Sequence, residues 1–423
     1  MTRASGYQPL ARVRRRMNSH ILPGAGLVVA CVVAVVNPLE AQGTLVGRGT
    51  ASVGPVAEWV RLGDGVVQPD LMSSGSVKVE SARQWSLPFA LIYPFGDRVT
   101  VDLAGTYTSG QVTLKDTDAA IGKSTYDLQG LSDLRLRATT HLVGDNVLLT
   151  LGATLPTGTT ELDREELNAL RVLAAPALGL QAPGVGLGAG GTAGLVLARQ
   201  MGGWAWALAG SYELRGTYSP IAAITAGLPA TDYDPGDAVH LSLGTDGLIG
   251  QHAMTFSVST DIFTKDELKV PGGSGGNMSP IAAVQMGPVL GADWQLHIGT
   301  TKFRELSFHV SDRYRTKYEL NGAEVDGSSG NYLDAGLRSV RPLGRNTDLL
   351  AGLQFRHQTG LDVDQTLATA SSASGGLTLG LSRVVGVLIV QPYLRGQLGS
   401  VDSGGERVNL SGFSGGLAIG ARF

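Results

Sequence analysis

The sequence predicts an all-β protein, a transmembrane antiparallel up-and-down β-barrel of about 16 strands, with 14 as the alternative and a short helix in one extracellular loop. Three observations carry that expectation. Period-two alternation between an apolar and a polar face runs from about residue 76 to the final residue, Phe423. Short Gly/Asp/Asn turns alternate with longer polar stretches, as periplasmic turns and extracellular loops do in such barrels. No stretch after residue 42 holds the roughly 18 uninterrupted apolar residues of a membrane-crossing helix, whereas a barrel hides its apolar residues at alternate positions.

Taken in order, residues 1–42 read as an export signal. Arg12, Arg14, Arg15 and Arg16 form a positive start, Leu27 to Val36 an apolar core, and Pro38 to Gln42 a cleavage zone. Removing its five Arg and one Glu takes the formal charge from −3 to −7. Basic residues do not cluster elsewhere, so no nucleic-acid partner is expected. Cys31, the only cysteine, lies in the apolar core, which excludes disulfides, thiol catalysis and thiolate metal sites from the mature chain.

Residues 43–75 are an arm that forms either the first strand or a plug. The segment Ser76 to Tyr93 precedes a short turn, so it must run inward, as must the last strand. An even strand number therefore needs one outgoing strand before Ser76, and Gly49 to Leu62 is the candidate.

Residues 76–423 form the barrel. Val99 to Thr108 sets Val99, Val101, Leu103 and Tyr107 against Thr100, Asp102, Thr106 and Thr108. Trp204 to Thr217 and Phe303 to Tyr318 divide in the same way, with heavily charged polar faces that suit a wet lumen. Short turns fall at Pro94–Asp97, Val143–Asn146, Met201–Gly203, Gly250–His252, Gly299–Thr301 and Pro342–Asn346. Longer polar stretches fall at 115–127, 157–187, 218–236, 264–280, 319–329, 360–373 and 399–407. In the last strand Phe413, Leu417 and Ile419 share the lipid-facing parity, and Phe423, Ile419 and Leu417 are the expected assembly signal.

One loop has helical spacing. Within Thr160 to Leu178, Leu167, Leu170, Ala174, Ala177 and Leu178 share a face opposite Glu165, Glu166 and Arg171. Thr160 with Asp163 resembles a capping box, and Pro176 bends or ends the helix. The apolar face packs on the barrel or the returning loop, or it offers a landing site for ligand, in which case Leu167, Leu170, Ala174 and Leu178 are the contacts.

The polar faces supply the remaining candidates. Asp133, Arg135 and Arg137 share one face, and Arg313, Arg315 and Lys317 form a second cationic ladder with Glu305 and His309 below. Gln354 and Arg356 share a third face, and Asp293, Gln295 and His297 a fourth. Charges facing lipid near mid-bilayer cost about 2–4 kcal/mol each, so these point to the lumen, where they line a channel or seal it as ion pairs. Enzyme signatures fail. Gly122-Lys123-Ser124 lacks the earlier glycine of a phosphate loop, because that position is Thr117. The glycines of 184–194 lead into a strand, the reverse of the dinucleotide-binding order. His309 with Ser307 and Ser311 is the nearest approach to a hydrolytic relay, but side chains of one strand seldom assemble one. The chain is therefore expected not to be an enzyme, with no cofactor and no metal. Asp232, Asp234 and Asp237, and Asp362 and Asp364, are loop acids that read as solvated rather than as cation ligands.

Gly130 to Gly158, GLSDLRLRATTHLVGDNVLLTLGATLPTG, resembles a hairpin of one superfamily of bacterial outer-membrane barrels. Its marks are a G-x-SD-x-x-(L/V) opening, a short turn and a strand ending in LPTG. The superfamily comprises the long-chain fatty acid transporters and the phenol-degradation MetA-pathway outer-membrane proteins. The resemblance implies a monomeric barrel in the cell outer membrane that admits hydrophobic compounds, often with an N-terminal plug. It implies outer-membrane lipid, the barrel assembly machinery and a small hydrophobic ligand as partners. Residues 43–75 lack the Asn-Pro-Ala motif expected of the fatty acid transporters' plug.

Overall fold

The computed structural model describes residues 49–69, 76–116, 122–143, 146–181, 185–221, 231–271, 278–360 and 366–423. The expected export signal, Asp362, Asp364 and part of the turn at 143–146 lie outside them. The main body of the described chain is an antiparallel sheet closed on itself. Its first strands are β1 (Thr50–Val53 and Val56–Pro69), β2 (Ser76–Phe95), β3 (Val99–Asp116), β4 (Lys123–Leu131 and Leu134–His141) and β5 (Val147–Leu155). Then come β6 (Gly190–Met201), β7 (Trp204–Arg215), β8 (Ala238–Ile249), β9 (His252–Phe263), β10 (Val289–His297) and β11 (Glu305–Arg315). The last five are β12 (Gly330–Pro342), β13 (Thr347–Gln358), β14 (Ser371–Val385), β15 (Leu388–Ser403) and β16 (Glu406–Arg422). Sixteen strands result, because two of them are each interrupted once. The alternative of 14 is not needed.

A strand precedes Ser76 and closes the sheet. β1 pairs with β16 from Thr50↔Arg422 to Leu62↔Leu410, and with β2 from Thr50↔Ile92 onward, which closes the barrel. Its break at Gly54-Pro55 costs no register: Val53↔Ile419 and Val56↔Gly416 are both three residues apart. Pro55 has no N–H to give, and its carbonyl still accepts from Leu417 at 3.0 Å. The second break differs. β3 pairs Tyr107 with Leu131 and Ala104 with Arg135, so β4 carries one extra residue, a bulge at Ser132-Asp133.

Side-chain alternation puts apolar residues outside all around the barrel. Leu195, Leu197, Leu208, Phe256, Leu353, Phe355, Leu377, Leu379, Leu394 and Phe413 are exposed large hydrophobics at outward positions. A continuous apolar belt on a closed sheet has one compatible solvent, lipid, since closure leaves no open strand edge among the described residues. The protein is an outer-membrane β-barrel. At the short-turn end Tyr93, Phe95 and Phe423 cluster, with ring centroids 4.8 Å apart for Tyr93–Phe95 and 6.5 Å for Tyr93–Phe423. Higher on the outer face stand Trp59 and the edge-on pair Trp85–Tyr107, 5.9 Å apart. These are the interfacial aromatic girdles of such a barrel. Short turns are closed by glycines with left-handed backbone, as at Gly202 (φ 64°) and Gly250 (φ 64°), where other residues would be strained.

The long stretches are less loop-like than expected. Tyr218–Ile221, Thr231–Asp234, Lys265–Pro271, Met278–Gln285, Glu319–Leu320 and Ala323–Glu324 form a second sheet that raises the wall above β7–β12. The stretch 399–407 is not a loop: β15 and β16 stay paired to Ser403↔Glu406. One long connection, between β5 and β6, holds a helix, α1 (Arg164–Leu173), followed by a 3₁₀ turn at Pro176–Leu178. The expected helix was longer and capped at Thr160. Asp163 is the cap instead, accepting from the Glu166 N–H at 2.8 Å while Glu166 accepts from the Asp163 N–H at 2.9 Å.

Candidate lumen site and its inward loop

The inner wall has two unlike halves. On β1–β4 and the upper parts of β15 and β16 the inward residues are apolar: Val60, Leu62, Val79, Val112, Leu114, Leu128, Val401 and Leu410 are almost fully buried. What buries them is the loop between β5 and β6, which turns into the barrel. Ala169, Val172 and Leu173 of α1, with Leu162, Ala177 and Leu178, join the same core. The helix face expected from spacing is therefore rotated. Leu167 and Leu170 only flank the core and Ala174 is exposed, while Leu178 is 1% exposed. The rotation has a simple cause. The helix ends at Leu173, so positions 174–178 do not continue its period.

Beyond the helix, residues 178–181 lie inside the barrel and are held by polar side chains from four strands of the arc that runs from β13 through β16 to β2. The Gln181 N–H donates to Glu58 of β1 at 2.9 Å, and the Gln181 carbonyl accepts from Gln84 of β2 at 2.7 Å. Ser86 donates to the Gln181 side-chain oxygen at 2.6 Å. Towards β13 and β15 the Gly179 carbonyl accepts from Arg356 Nη1 at 3.3 Å, and the Leu178 carbonyl accepts from Gln397 at 3.2 Å. Gly179 has φ 65°, a left-handed backbone that favours glycine, and a Cβ there would crowd Arg356 Nη1 at 2.6 Å.

The loop's two stems meet at Asp133. Its carboxylate accepts from the Gly158 N–H at 2.9 Å and from the Leu187 N–H at 2.5 Å. The stems also bond each other, Gly186 N–H to Thr159 carbonyl at 2.8 Å. Asp133, read from sequence as part of a lumen ladder with Arg135 and Arg137, is instead a buried anchor at the β4 bulge. The bulge re-aims it from the wall to the loop. Arg137 remains on the lumen face and pairs with Asp102 at 2.9 Å, and Arg135 lies exposed beside it.

The other half of the wall, β7–β13, is charged and paired. His240 lies between Asp261 at 2.8 Å and Glu213 at 3.2 Å. Arg313 Nη2 donates to both carboxylate oxygens of Asp293, at 3.0 and 2.8 Å. Asp334 faces three partners, Arg356 Nε at 2.9 Å, Gln354 at 2.5 Å and His309 Nε2 at 3.0 Å. Gly336 makes room for His309, since a Cβ there would stand 2.3 Å from Cε1 of the ring. Glu305 accepts from Ser307 at 3.1 Å and lies 3.9 Å from Arg338. The ladder Arg313, Arg315, Lys317 does not continue upward as expected. β11 ends at Arg315, and Lys317 stands on the rim paired to Asp326 at 2.5 Å.

Several residues of this arrangement were not singled out from the sequence: Glu58, Gln84, Ser86, Gln181, Gln397, His240 and the half-buried Arg395. Glu58 alone left a signal, as the one charge in VGPVAEWV. The loop acids Asp232, Asp234 and Asp237 are hydrogen-bond acceptors within the rim, for Ser219 at 2.7 Å, Lys269 at 2.5 Å and Tyr212 at 2.5 Å. At the seam, Phe423 exchanges backbone bonds with Gly49, at 2.8 and 3.0 Å, while Leu417 and Ile419 lie on the outward parity.

No protein-family model and no curated protein matches the chain. Among solved structures it is similar to an outer membrane channel from Pseudomonas putida F1, at 14% identity over 92% of this chain and 100% of that one, with TM-score 0.36. It is also similar to a deltaS2 mutant of the TodX monoaromatic hydrocarbon channel, at 9% identity over 92% and 94% of the two chains, with TM-score 0.46. A third likeness is to the outer membrane protein OpdK from Pseudomonas aeruginosa, at 9% identity over 90% and 100%, with TM-score 0.40.

Proposed function

We propose that this barrel admits small hydrophobic compounds through the outer membrane into the periplasm, with the inward loop as a displaceable plug. The observation that carries the reading is the division of the lumen into an apolar wall covered by α1 and a charged wall facing it. Displacing the loop would expose an apolar strip along β1–β4 for a greasy solute, while the paired charges opposite keep water in place. Leu167, Leu170, Ala174 and Leu178 are then the contacts the loop offers a ligand as it is displaced. Glu305, His309, Arg313, Arg315, Arg356, Arg135 and Arg137 shape the path inward, and Asp133 anchors the plug. Phe423, Ile419 and Leu417 serve as the signal read by the barrel assembly machinery, and the barrel works as a monomer without a cofactor. Uptake of aromatic and acyl compounds into liposomes carrying the purified barrel tests the reading. Uptake above empty liposomes supports it, and its absence for both classes ends it.

A second reading, a structural barrel with a closed lumen, is favoured by one observation. The helix is buried as thoroughly as a soluble core, with Ala169 and Val172 at 0% exposure. Planar-bilayer recordings separate the two readings, since stable open steps exclude a sealed lumen and also reveal a general porin.

A further inference from the structure

The periplasmic corner formed by the ends of β11–β14 is strongly basic on its outer surface. Arg341 of β12 is outward and exposed, paired in register with Leu349 of β13. Leu349 pairs in turn with Leu381 of β14, and two residues further down Arg383 is outward and exposed opposite Thr347. Arg345 sits exposed in the turn between β12 and β13. That turn is held by the Leu343 N–H to Thr347 at 2.9 Å and stitched to β14 by the Val384 N–H donating to Asn346 at 2.9 Å. Two strand spacings and a two-residue offset place Arg341 and Arg383 about 12 Å apart on the sheet, within reach of one doubly charged or two adjacent singly charged groups.

These three guanidinium groups have no acceptor among the described residues. The nearest carboxylate, Asp348, faces inward, is only 14% exposed and is already paired to Arg304 at 2.9 Å. Directly above the arginines on the same strands lie Leu381 and the other outward leucines of the lipid belt. An arginine at the lower edge of an apolar belt puts its stem in the acyl region and its charge at the headgroup level. Three such charges in one corner, unbalanced by protein, match phosphate, which arginine binds bidentately.

We infer that this corner is a binding site for the phosphate of an anionic phospholipid in the periplasmic leaflet. The inference rests on the seating of the barrel in the membrane and not on transport, so its failure would leave the uptake reading untouched. The test is native mass spectrometry of the delipidated barrel titrated with phosphatidylglycerol or phosphatidylcholine. The intact barrel should retain phosphatidylglycerol in preference. Losing two surface arginines, as in R341Q/R383Q, should weaken that retention about 30-fold. R341K/R383K keeps the charges and should keep most of the preference. R199Q removes an exposed outward arginine on β6, away from the corner, and should leave retention unchanged. Equal retention of the two lipids, an unaltered R341Q/R383Q, or an equal loss in R199Q would overturn the site. Displacement of the lipid by millimolar inorganic phosphate would overturn the lipid assignment by making the corner a free-anion site. Heat-modifiable gel migration confirms that each variant is a folded barrel.

Discussion

Leu173 of the plug helix occupies the space that a side chain on Gly110 of β3 would fill: a Cβ there would stand 2.5 Å from Leu173 Cδ1. Gly110→Val should push the helix off the wall, at about 1–3 kcal/mol of overpacking. Trypsin cleavage at Arg164 or Arg171 in intact proteoliposomes should then rise. Adding Leu173→Ala removes the clash, and cleavage in the double variant should fall back towards that of the parent.

Asp133→Ala leaves two stem N–H groups, of Gly158 and Leu187, without their acceptor. An orphaned buried donor costs about 1–3 kcal/mol, so the loop roots should loosen while the barrel persists. Hydrogen exchange is expected to quicken at residues 157–159 and 185–188 and to stay slow in β6 and β7. Uniform quickening across those strands would show that Asp133 holds the wall rather than the loop.

The barrel itself was legible because each strand advertises its two faces. Phe413, Leu417 and Ile419 marked the outside of β16, and the need for an even count placed β1 before Ser76. Periodicity says which face a residue takes but not which way a loop folds, so the inward turn at 156–189 was not visible. It depends on one bulge residue, Asp133, bonding backbone 25 and 54 positions away. The residues that grip the tip were hidden for the same reason, since Glu58 and Gln84 on neighbouring strands meet Gln397 only when β16 closes the barrel on β1. The helix face was misread because the pattern was carried past Leu173, where the helix stops.

Asp334→Asn should leave Arg356 and His309 without their shared carboxylate and raise the positive potential of the lumen. Ion selectivity, read as reversal potential in a salt gradient, should shift towards anions. Asp246→Asn, lower in the lumen and away from that cluster, should shift it less. Equal shifts would mean that the two acids see the same average field.

On the rim, Lys317 holds the Asp326 carboxyl below its usual range, and Asp326 raises the Lys317 ammonium in return. The lowered acid contributes order that is lost as pH falls through its depressed value. The raised base contributes order that is lost as pH rises past its elevated one. The β11–β12 loop should therefore keep its hydrogen-exchange protection, including the Val325 N–H bonded to Tyr318 at 3.0 Å, from about pH 5 to 9 and lose it in acid below about pH 4. Lys269 lowers Asp234 in the same way, so the neighbouring rim hairpin should respond in parallel.

The central claim is that the inward loop stands in the path. Because Thr159 and Gly186 already bond across the stems at 2.8 Å, residues 161–184 can be replaced by a short glycine turn without disturbing β5 or β6. Uptake of a small apolar aromatic probe into liposomes is then compared for the intact and shortened barrels, with single-channel conductance alongside. Measurable uptake is expected for the intact barrel, with faster uptake and a larger, steadier conductance for the shortened one. Equal uptake and conductance for the two, or none in either, would contradict that claim.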